Sequence, residues 1–495
     1  MSAAAAPPRP IALGSAEVTL ATAVLLCAAS ITCGAAFMGG MEGAEPWMVA
    51  TGLAGVGMAT VLSLRAERDW FNPLLLIFAA WVLRIGVPAL WVVFAGPPPE
   101  FLTVFHVPNR NWGQGLALAL VGMAAVALGW MVLPLATARA GRSFAGALGR
   151  TFRMDGRTLW TGLLFMALGL GAIVIFLRIN YSSSADAITS GTIRRGGSRV
   201  GGTSRYSFLA TSLTTYGSVA AVSYLLLVRR TRWWVGMLPS LAATLVMSIF
   251  GGRVLALTPT VYAALLLWYR GDRSRIGAWR VVLAGLAAVV GFAAYSMFIA
   301  YYRSGLGLKA AGRVLSMDGI TYYASKVLWY EGGILHPYAV ATVFPPGVLE
   351  GQSAPLTLGF VGTLAGIEGI RPGQWMVEAL VGRIRERAWG WHSGLVIDLY
   401  MNYGLLAVVL GGILFGLLLR TVYAGFRAHR ANAVVACFYV MLLWHFFWMY
   451  YEHTAAAMNP IFIHFPFTIL ALAGAQLLPA GAGVGLFRRA RPAPA

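Results

Sequence analysis

Long apolar runs, repeated along the chain, are the feature that most restricts how this sequence can fold. Each run is about 20 residues, the length that an α-helix needs to cross the hydrocarbon core of a bilayer. Hydrophobic residues make up 59% of the 495 residues and charged residues 11%, which is more apolar surface than one soluble core buries. The runs are continuous rather than alternating, which favours helices over a closed barrel. The sequence therefore predicts an all-α, polytopic transmembrane helix bundle.

Twelve runs are long enough to be predicted spans. They lie near 17–39, 46–64, 72–96, 113–138, 159–178, 207–228, 234–250, 254–270, 281–302, 394–419, 432–450 and 459–478. The predicted organisation is a disordered cytoplasmic tail (1–16), a bundle of nine spans (17–302) with a basic external loop (179–206), a large external loop domain (303–393), three further spans (394–478) and a basic cytoplasmic tail (479–495). Within the large external loop, a helix is predicted over 372–389, because Pro372 suits a first helical turn.

Charge is distributed unevenly between the two sides of the predicted membrane. The formal net charge is +20, and every loop on the side of the N-terminus is basic. These predicted loops include RAERD at 65–69, RRTR at 229–232 and the stretch with Arg139, Arg142, Arg150, Arg153 and Arg157. The short loops on the other side, GGMEGAEPW and YEHTAAAMNP, carry acids and no Lys or Arg. By the positive-inside rule this predicts a multi-pass protein of the cytoplasmic (inner) membrane with both termini cytoplasmic. No basic domain or nucleic-acid motif is found, so a nucleic-acid partner is not predicted.

External arginines are the strongest chemical signal, because they lie on the side where the positive-inside rule disfavours them. They are Arg194, Arg195 and Arg199 in the first long external segment, Arg371, Arg383 and Arg387 in the second, and Arg253 in the tight turn FGGRVLAL. Guanidinium groups bind phosphate oxygens bidentately, and glycine-rich backbone lets the chain approach an anion closely. Arg383 and Arg387 would share one face of a helix. The alternative is that these arginines pair with acids or contact anionic headgroups.

A base is predicted next to these arginines. His392, in WGWHSGLVIDLY, stands at the external mouth of the tenth predicted span, where a neutral imidazole can accept a proton from a hydroxyl nucleophile. An interfacial histidine is the alternative interpretation. Glu452 and His453, in WMYYEHTAA, are secondary candidates for the base. Neither a P-loop nor metal-ligand spacing of Cys and His occurs, so neither metal nor cofactor is predicted.

Two further features lie within the spans. Arg84 falls inside the third predicted span, where a charge is costly and usually faces the bundle interior with a partner, for which Asp398 is a candidate. The aromatic cluster WHFFWMYY at 444–451 is typical of an interface belt. With Arg84 as the exception, we expect the spans to be mostly apolar.

Short motifs resemble those of a known family. The stretch from His392 through Asn402-Tyr403-Gly404 into a glycine-rich span is similar to the HN/HS…GLLG segment of bacterial oligosaccharide polymerases and ligases. The turn Gly251-Gly252-Arg253 resembles the G-S-R turn of oligosaccharide repeat-unit polymerases of the Wzy type. By architecture, the resemblance covers roughly 207–478. Gly252 stands where serine is common and Ser393 where asparagine is common in the ligases, which leaves polymerase and ligase both open.

The resemblance implies a GT-C-like, metal-independent membrane glycosyltransferase. In that family the growing chain passes from its polyprenyl (undecaprenyl) pyrophosphate to a sugar hydroxyl of the next lipid-linked repeat unit. His392 would be the base, Arg253 and the Arg383/Arg387 face would hold the pyrophosphate, and Arg371 and the arginines of the first external segment would assist. The implied partners are the lipid-linked oligosaccharide, membrane lipids, a chain-length regulator and a flippase. Alternatives are a ligase that moves finished glycan to another acceptor, and a non-enzymatic flippase or transporter, which would need polar residues through the middle of several spans.

Overall fold

The computed structural model describes most of the predicted bundle and part of the large external loop. It describes residues 15–41, 43–67, 69–96, 107–181, 204–248, 253–270, 335–357, 369–381, 393–451 and 468–477, with single positions between 283 and 301 and at 466. Within these ranges every regular element is a helix.

The helices are as follows. The first part of the chain forms α1 (Ser15–Met38), α2 (Ala44–Glu67), α3 (Pro73–Ala95, with a π-helical turn at Val82–Gly86), α4 (Asn109–Met131), α5 (Pro134–Thr151) and α6 (Gly156–Asn180). The middle forms α7 (Ser204–Ser223, continued by a π-helical turn at Tyr224–Val228), α8 (Trp233–Ser248), α9 (Arg253–Arg270), α10 (Leu335–Ala341), α11 (Ala354–Thr357) and α12 (Pro372–Val381). The last part forms α13 (Leu395–Tyr403), α14 (Leu405–Ala428), α15 (Ala433–Tyr451) and α16 (Thr468–Leu477).

Eight helices of the described chain are long and apolar enough to cross a membrane: α1, α2, α3, α4, α6, α7, α14 and α15. They correspond to eight of the twelve predicted spans, so the prediction of a helical, polytopic membrane protein is confirmed at this level. Helices α8 and α16 are apolar but shorter, α9 has 18 residues, and most of the predicted span 281–302 lies outside the described residues. The count of twelve stays a prediction.

The tenth predicted span, 394–419, is wrong as one continuous helix. Gly404 adopts a φ of 80°, in the left-handed region that glycine reaches without steric cost, and it separates the nine-residue α13 from the 24-residue α14. The N–H of Gly404 still donates to the carbonyl of Tyr400 and closes α13. The membrane-crossing helix is therefore α14, and α13 is a short helix that leads into it.

The arginine-bearing stretch after the fourth span is a helix rather than a loop. Leu133, with a φ of 53°, turns the chain out of α4, and Pro134 begins α5 at a position where its missing N–H costs nothing. Helix α5 packs on the end of α14, where a Cβ at Gly141 would collide with the carbonyl oxygen of Thr421. Arg139, Arg142 and Arg150 thus project from a helix lying against the bundle.

Hydrogen bonds link the predicted cytoplasmic connections at one end of the bundle. The buried carboxylate of Asp69 accepts from the hydroxyl of Tyr423 (3.0 Å) and from the indole of Trp268 (3.3 Å). Arg270, two residues after that tryptophan, donates to the carbonyl of Arg230 (2.8 Å). We call this the arginine-rich end and define it by the connections 65–72, 132–155, 229–232 and 428–432. The opposite end contains Ala95 and Asn109, whereas Tyr450 and Tyr451 lie deeper in the bundle, where their hydroxyls donate to the sulfur of Met123 (3.8 Å) and to the carbonyl of Ile77.

Cysteine labelling should report which end faces the cytoplasm. In a variant with Cys27, Cys33 and Cys437 replaced by alanine, we expect Met41→Cys to react with a membrane-impermeant maleimide on intact cells, because Met41 is 63% exposed at the opposite end. Arg153→Cys, exposed at the arginine-rich end, should react only after permeabilisation, since basic loops stay inside. The reverse pattern would show that the orientation is inverted.

Candidate functional site

Most of the predicted site residues lie outside the described residues. These are Arg194, Arg195, Arg199, Arg383, Arg387, His392, Glu452 and His453. Of the remaining two, Arg253 is the first residue of α9, and Arg371 is exposed immediately before α12. The described residues on either side of these positions show which parts of the fold the predicted site residues adjoin in the sequence.

The two segments that carry the candidate bases adjoin residues that touch one another. Gly394, at the start of α13, packs so tightly on the last turn of α15 that a Cβ there would collide with the carbonyl oxygen of Tyr450. Ser393 is fully buried beside it. Along the sequence, His392 immediately precedes this contact and Glu452 immediately follows α15. The described ends of the two segments therefore meet inside the bundle, where the hydroxyl of Tyr450 contacts Met123 of α4 and Gly122 of α4 adjoins Val396 of α13.

Helix α9 begins at the same depth. It runs antiparallel to α15, and the indole N–H of Trp444 donates to the hydroxyl of Thr258 (3.1 Å). Arg253 lies five residues before that threonine, and Tyr450 six residues after that tryptophan. At about 1.5 Å of rise per residue, both lie roughly 8–9 Å beyond the contact, towards the opposite end. The backbone at Arg253 is therefore level with the contact between α13 and α15.

Part of the large external loop is buried in the bundle. Every residue of α10 is buried, and α10 fits against α4 because Gly115 has no side chain: a Cβ there would stand 2.5 Å from the amide nitrogen of Ala339. After α10 the chain follows α13, where the N–H of Leu349 donates to the carbonyl of Met401 (2.8 Å). The segment 335–353 thus fills the space between α4 and α13.

Three buried polar side chains fasten this segment to α13. The hydroxyl of Ser353 donates to a carboxylate oxygen of Asp398 (2.8 Å) and accepts from the side-chain amide of Asn402 (2.6 Å). The backbone N–H of Ser353 also donates to the amide oxygen of Asn402 (3.2 Å). We call these three residues the Ser–Asp–Asn bracket. It holds the helix that follows His392, and the predicted pairing of Asp398 with Arg84 stays a prediction.

Arg371 is tethered beside this bracket. The N–H of Ile370 donates to the carbonyl of Gln352 (3.0 Å), one residue from the bracket serine. In α12, the ring of Trp375 packs on Phe344 with centroids 4.9 Å apart. Arg371 itself is exposed, so its guanidinium group is available at the opposite end of the bundle.

Arg84 occupies the π-helical turn of α3, a rare geometry that is frequent at functional sites. Its guanidinium carbon stands 5.3 Å from the ring centroid of Tyr451, within the range of a cation–π contact. Tyr450 and Tyr451 are completely buried and lie edge to face at 4.8 Å. The expectation that 444–451 is an interface belt is therefore wrong for these two tyrosines, which belong to the core.

Tyr338 of α10 completes this aromatic surface. Burial raises the pKa of its hydroxyl well above the usual range, although the positive charge of Arg84 acts in the opposite direction. The phenol therefore stays protonated and is a neutral hydrogen-bond donor. Arg84 is recognisable in the sequence as a charge within an apolar run, whereas nothing in the pattern of 335–341 shows which helix Tyr338 contacts.

Helix α7 carries a buried polar stripe that the sequence analysis overlooked. Its members are Thr211, Ser212, Thr214, Thr215, Ser218 and Ser223, all buried. Deeper in the bundle, the imidazole of His445 lies 3.4 Å from the hydroxyl of Tyr216 and 3.3 Å from that of Tyr262. Helix α7 is still apolar enough to cross a membrane, but its buried hydroxyls were not expected, although the run TSLTTYGS was the available signal.

Among the described residues, no group of three or more His, Cys, Asp or Glu side chains could hold a metal ion. Compared with known proteins, the chain matches no family, no curated protein and no solved structure. The fold and site therefore define a class only: a polytopic membrane protein, helical throughout its described regular elements, whose segment 335–353 is buried between α4 and α13.

Proposed function

We propose that this chain is a membrane glycosyltransferase that polymerises polyprenyl-pyrophosphate-linked oligosaccharide repeat units into a surface polysaccharide. It acts on the outer face of the cytoplasmic membrane, with twelve spans, a GT-C-like architecture and both termini in the cytoplasm. The observation that carries the proposal is the contact between Gly394 and the backbone of Tyr450. It joins the residues next to His392 and next to Glu452 in the sequence, level with the start of α9.

The position of the arginine-rich end supports the proposed side of action. Basic connections are retained in the cytoplasm, which leaves α10, the Ser–Asp–Asn bracket and Arg371 on the outer side. Irregular backbone at membrane depth is tolerated where it is buried in protein or lines a cavity. The segment 342–353 has irregular backbone that is buried against α13 and held there by the bracket. A lipid-linked substrate would reach the bundle at the same depth.

The proposed reaction is the one that the resemblance implies, and the residue types suit it. An acceptor hydroxyl oxygen attacks the anomeric carbon of the donor sugar, a glycosidic bond forms, and the bond between that carbon and the pyrophosphate breaks. His392 takes the hydroxyl proton. Polyprenyl pyrophosphate leaves with its bonding electrons, and Arg253, Arg383 and Arg387 stabilise the developing negative charge. The remaining external arginines, with exposed Arg371 among them, attract the anionic donor.

Reconstitution tests this proposal directly. Purified protein in liposomes containing lipid-linked repeat units should produce a ladder of longer lipid-linked chains without ATP, because the donor bond supplies the energy. A chelator should leave the ladder unchanged, since the arginines would neutralise the negative charge of the pyrophosphate, which a metal ion does in other enzymes. Only single repeat units after incubation, with correctly folded protein and intact donor, would contradict the polymerase.

A lipid-linked glycan transporter is the second candidate, and the polar stripe of α7 favours it. Within the described chain, the hydroxyls of Ser212, Thr214 and Thr215 are buried without a hydrogen-bond partner, and intramembrane polar groups often mark a substrate path. In the same liposomes, a transporter would move labelled repeat units from one leaflet to the other without lengthening them. Lengthening on one leaflet without such movement would favour the polymerase.

A further inference from the structure

Helix α5 connects two membrane helices but is not among those apolar enough to cross a membrane. It begins three residues after α4 ends, and α6 begins five residues after α5 ends. Its first half packs on Thr421, two turns before the end of α14. Its last turn lies beside Val435, in the first turn of α15. Since both contacts lie near the ends of membrane helices, α5 lies at the boundary of the bilayer, at the arginine-rich end.

Position around the helix separates the side chains of α5 into three groups. The face against the bundle is buried and includes Thr137, Gly141 and Ala145. At about 3.6 residues per turn, the exposed surface divides into two adjacent flanks. The apolar flank consists of Ala140, Phe144 and Ala147. The basic flank consists of Arg139, Arg142 and Arg150.

The described part of the protein covers neither flank. Phe144 is 56% exposed, and Leu135, in the first turn, is 82% exposed. The three arginines form no ion pair with any described residue, and the sequence 132–154 contains neither Asp nor Glu. The Nε of Arg142 donates to the carbonyl of Ala138 (3.2 Å), one turn earlier in the same helix. An apolar row beside a cationic row, without acids, is the composition of helices that lie in the surface of an anionic bilayer.

We propose that α5 is an interfacial helix that binds the anionic phospholipid headgroups of the leaflet next to it. In the proposed orientation this is the cytoplasmic leaflet. The guanidinium groups of the basic flank donate to the lipid phosphates, and Phe144 with its neighbouring alanines enters the boundary between headgroups and acyl chains.

Charge complementarity selects the lipid. Each arginine near an anionic surface strengthens binding about fivefold, whereas phosphatidylcholine carries a choline that cancels the charge of its phosphate. The basic flank therefore distinguishes phosphatidylglycerol from phosphatidylcholine. This binding does not require glycosyltransferase activity, and it can be measured on the full chain without a substrate.

Hydrogen–deuterium exchange of the full chain in lipid nanodiscs tests this binding, with mass spectrometry of peptides from 134–151 as the readout. We expect these amides to exchange about fivefold or more slowly in phosphatidylglycerol than in phosphatidylcholine, because bound headgroups oppose local opening of the helix. Peptides from the middle of α14 should exchange equally in the two lipids. They report whether the fold is intact.

Three variants separate the basic flank from the overall charge of this end. Glutamine at Arg139, Arg142 and Arg150 together should remove the difference between the lipids, and lysine at the same positions should keep most of it. The matched control, Arg65→Gln/Arg232→Gln/Arg430→Gln, removes the same charge from exposed positions in three other connections of the arginine-rich end. It should keep the full difference. Phe144→Ser should speed exchange of α5 in both lipids, since it removes apolar surface rather than charge.

Four results would overturn the proposal. Equal exchange of α5 in the two lipids in the parent would show that it does not recognise anionic headgroups. A full difference in the glutamine variant would exclude the basic flank, and an equal loss in the control would assign the effect to overall charge. Loss in the lysine variant would mean that the arginines act through packing. Should the glutamine variant lose its fold, the single variant Arg142→Gln is expected to lose part of the difference, and an unchanged difference there counts against the proposal.

Discussion

Alanine at His392 or at Arg253 is expected to abolish polymer formation while leaving the protein in the membrane. Removing a general base typically costs about a hundredfold to ten-thousandfold in rate, and removing a preorganised donor to a developing oxyanion about a hundredfold to a thousandfold. Either loss would leave single repeat units on a polysaccharide gel. The reconstituted ladder assay, run at equal protein amounts, measures the effect.

The matched controls separate chemistry from folding. Arg178→Ala removes an exposed arginine at the same end of the bundle and should keep normal chain lengths. Arg253→Lys keeps the charge but loses the bidentate fork, so its rate should fall between those of the parent and Arg253→Ala. Normal polymer from both alanine variants would remove the assignment of base and anion site, even if the enzyme class survived.

The length of the apolar runs was sufficient to predict a helical membrane protein with several spans. A backbone in lipid must satisfy its own hydrogen bonds, so a continuous apolar run about 20 residues long has little alternative to a helix. This is why eight predicted spans recur as long apolar helices. The Asp69 network and the Arg270–Arg230 hydrogen bond link basic connections at one end of the bundle, and the prediction that this end faces the cytoplasm is tested by the labelling experiment.

The break at Gly404 could not be predicted in the same way. Glycine is frequent in transmembrane helices as a packing residue, so a glycine-rich apolar run predicts one span. Only the positive φ of Gly404, seen in the structure, shows that the chain turns there. Helix α5 was not predicted, because its run of arginines and small residues is too polar to be a span. Its arginines were assigned to a loop, although glycines spaced along 141–149 let it pack closely on the end of α14.

Some residues of the candidate site can be recognised from the sequence around them, and others only from contacts between helices. Arg84 was recognisable because a charge inside an apolar run is costly wherever it lies. Tyr338 and Tyr451 were not, because their significance comes from contacts between helices far apart in the sequence. Aromatic residues near a span end fit an interface belt equally well. His392, Glu452, Arg383 and Arg387 lie outside the described residues and stay predictions.

The second large effect is expected from a glycine that allows α4 and α14 to touch. At Gly416 a Cβ would collide with the carbonyl oxygen of Val126, and at Gly129 with that of Ile413. Backbone atoms on both sides leave no flexible side chain to move away, so any substituent must push the helices apart. Close approach through small residues is a main source of packing energy between helices in lipid, and overpacking costs about 1–3 kcal/mol or more.

Gly416→Val should therefore lower the thermal midpoint of the detergent-solubilised protein sharply and reduce the monodisperse fraction on gel filtration. Gly171→Val is the matched control, since Gly171 also lies within a membrane helix but a Cβ there meets nothing within 4 Å. Its midpoint should stay near that of the parent. Equal midpoints for the two variants would mean that α4 and α14 do not pack through these glycines. Because α14 continues from α13 at Gly404, the packing that supports the Ser–Asp–Asn bracket and the start of α13 would then need another explanation.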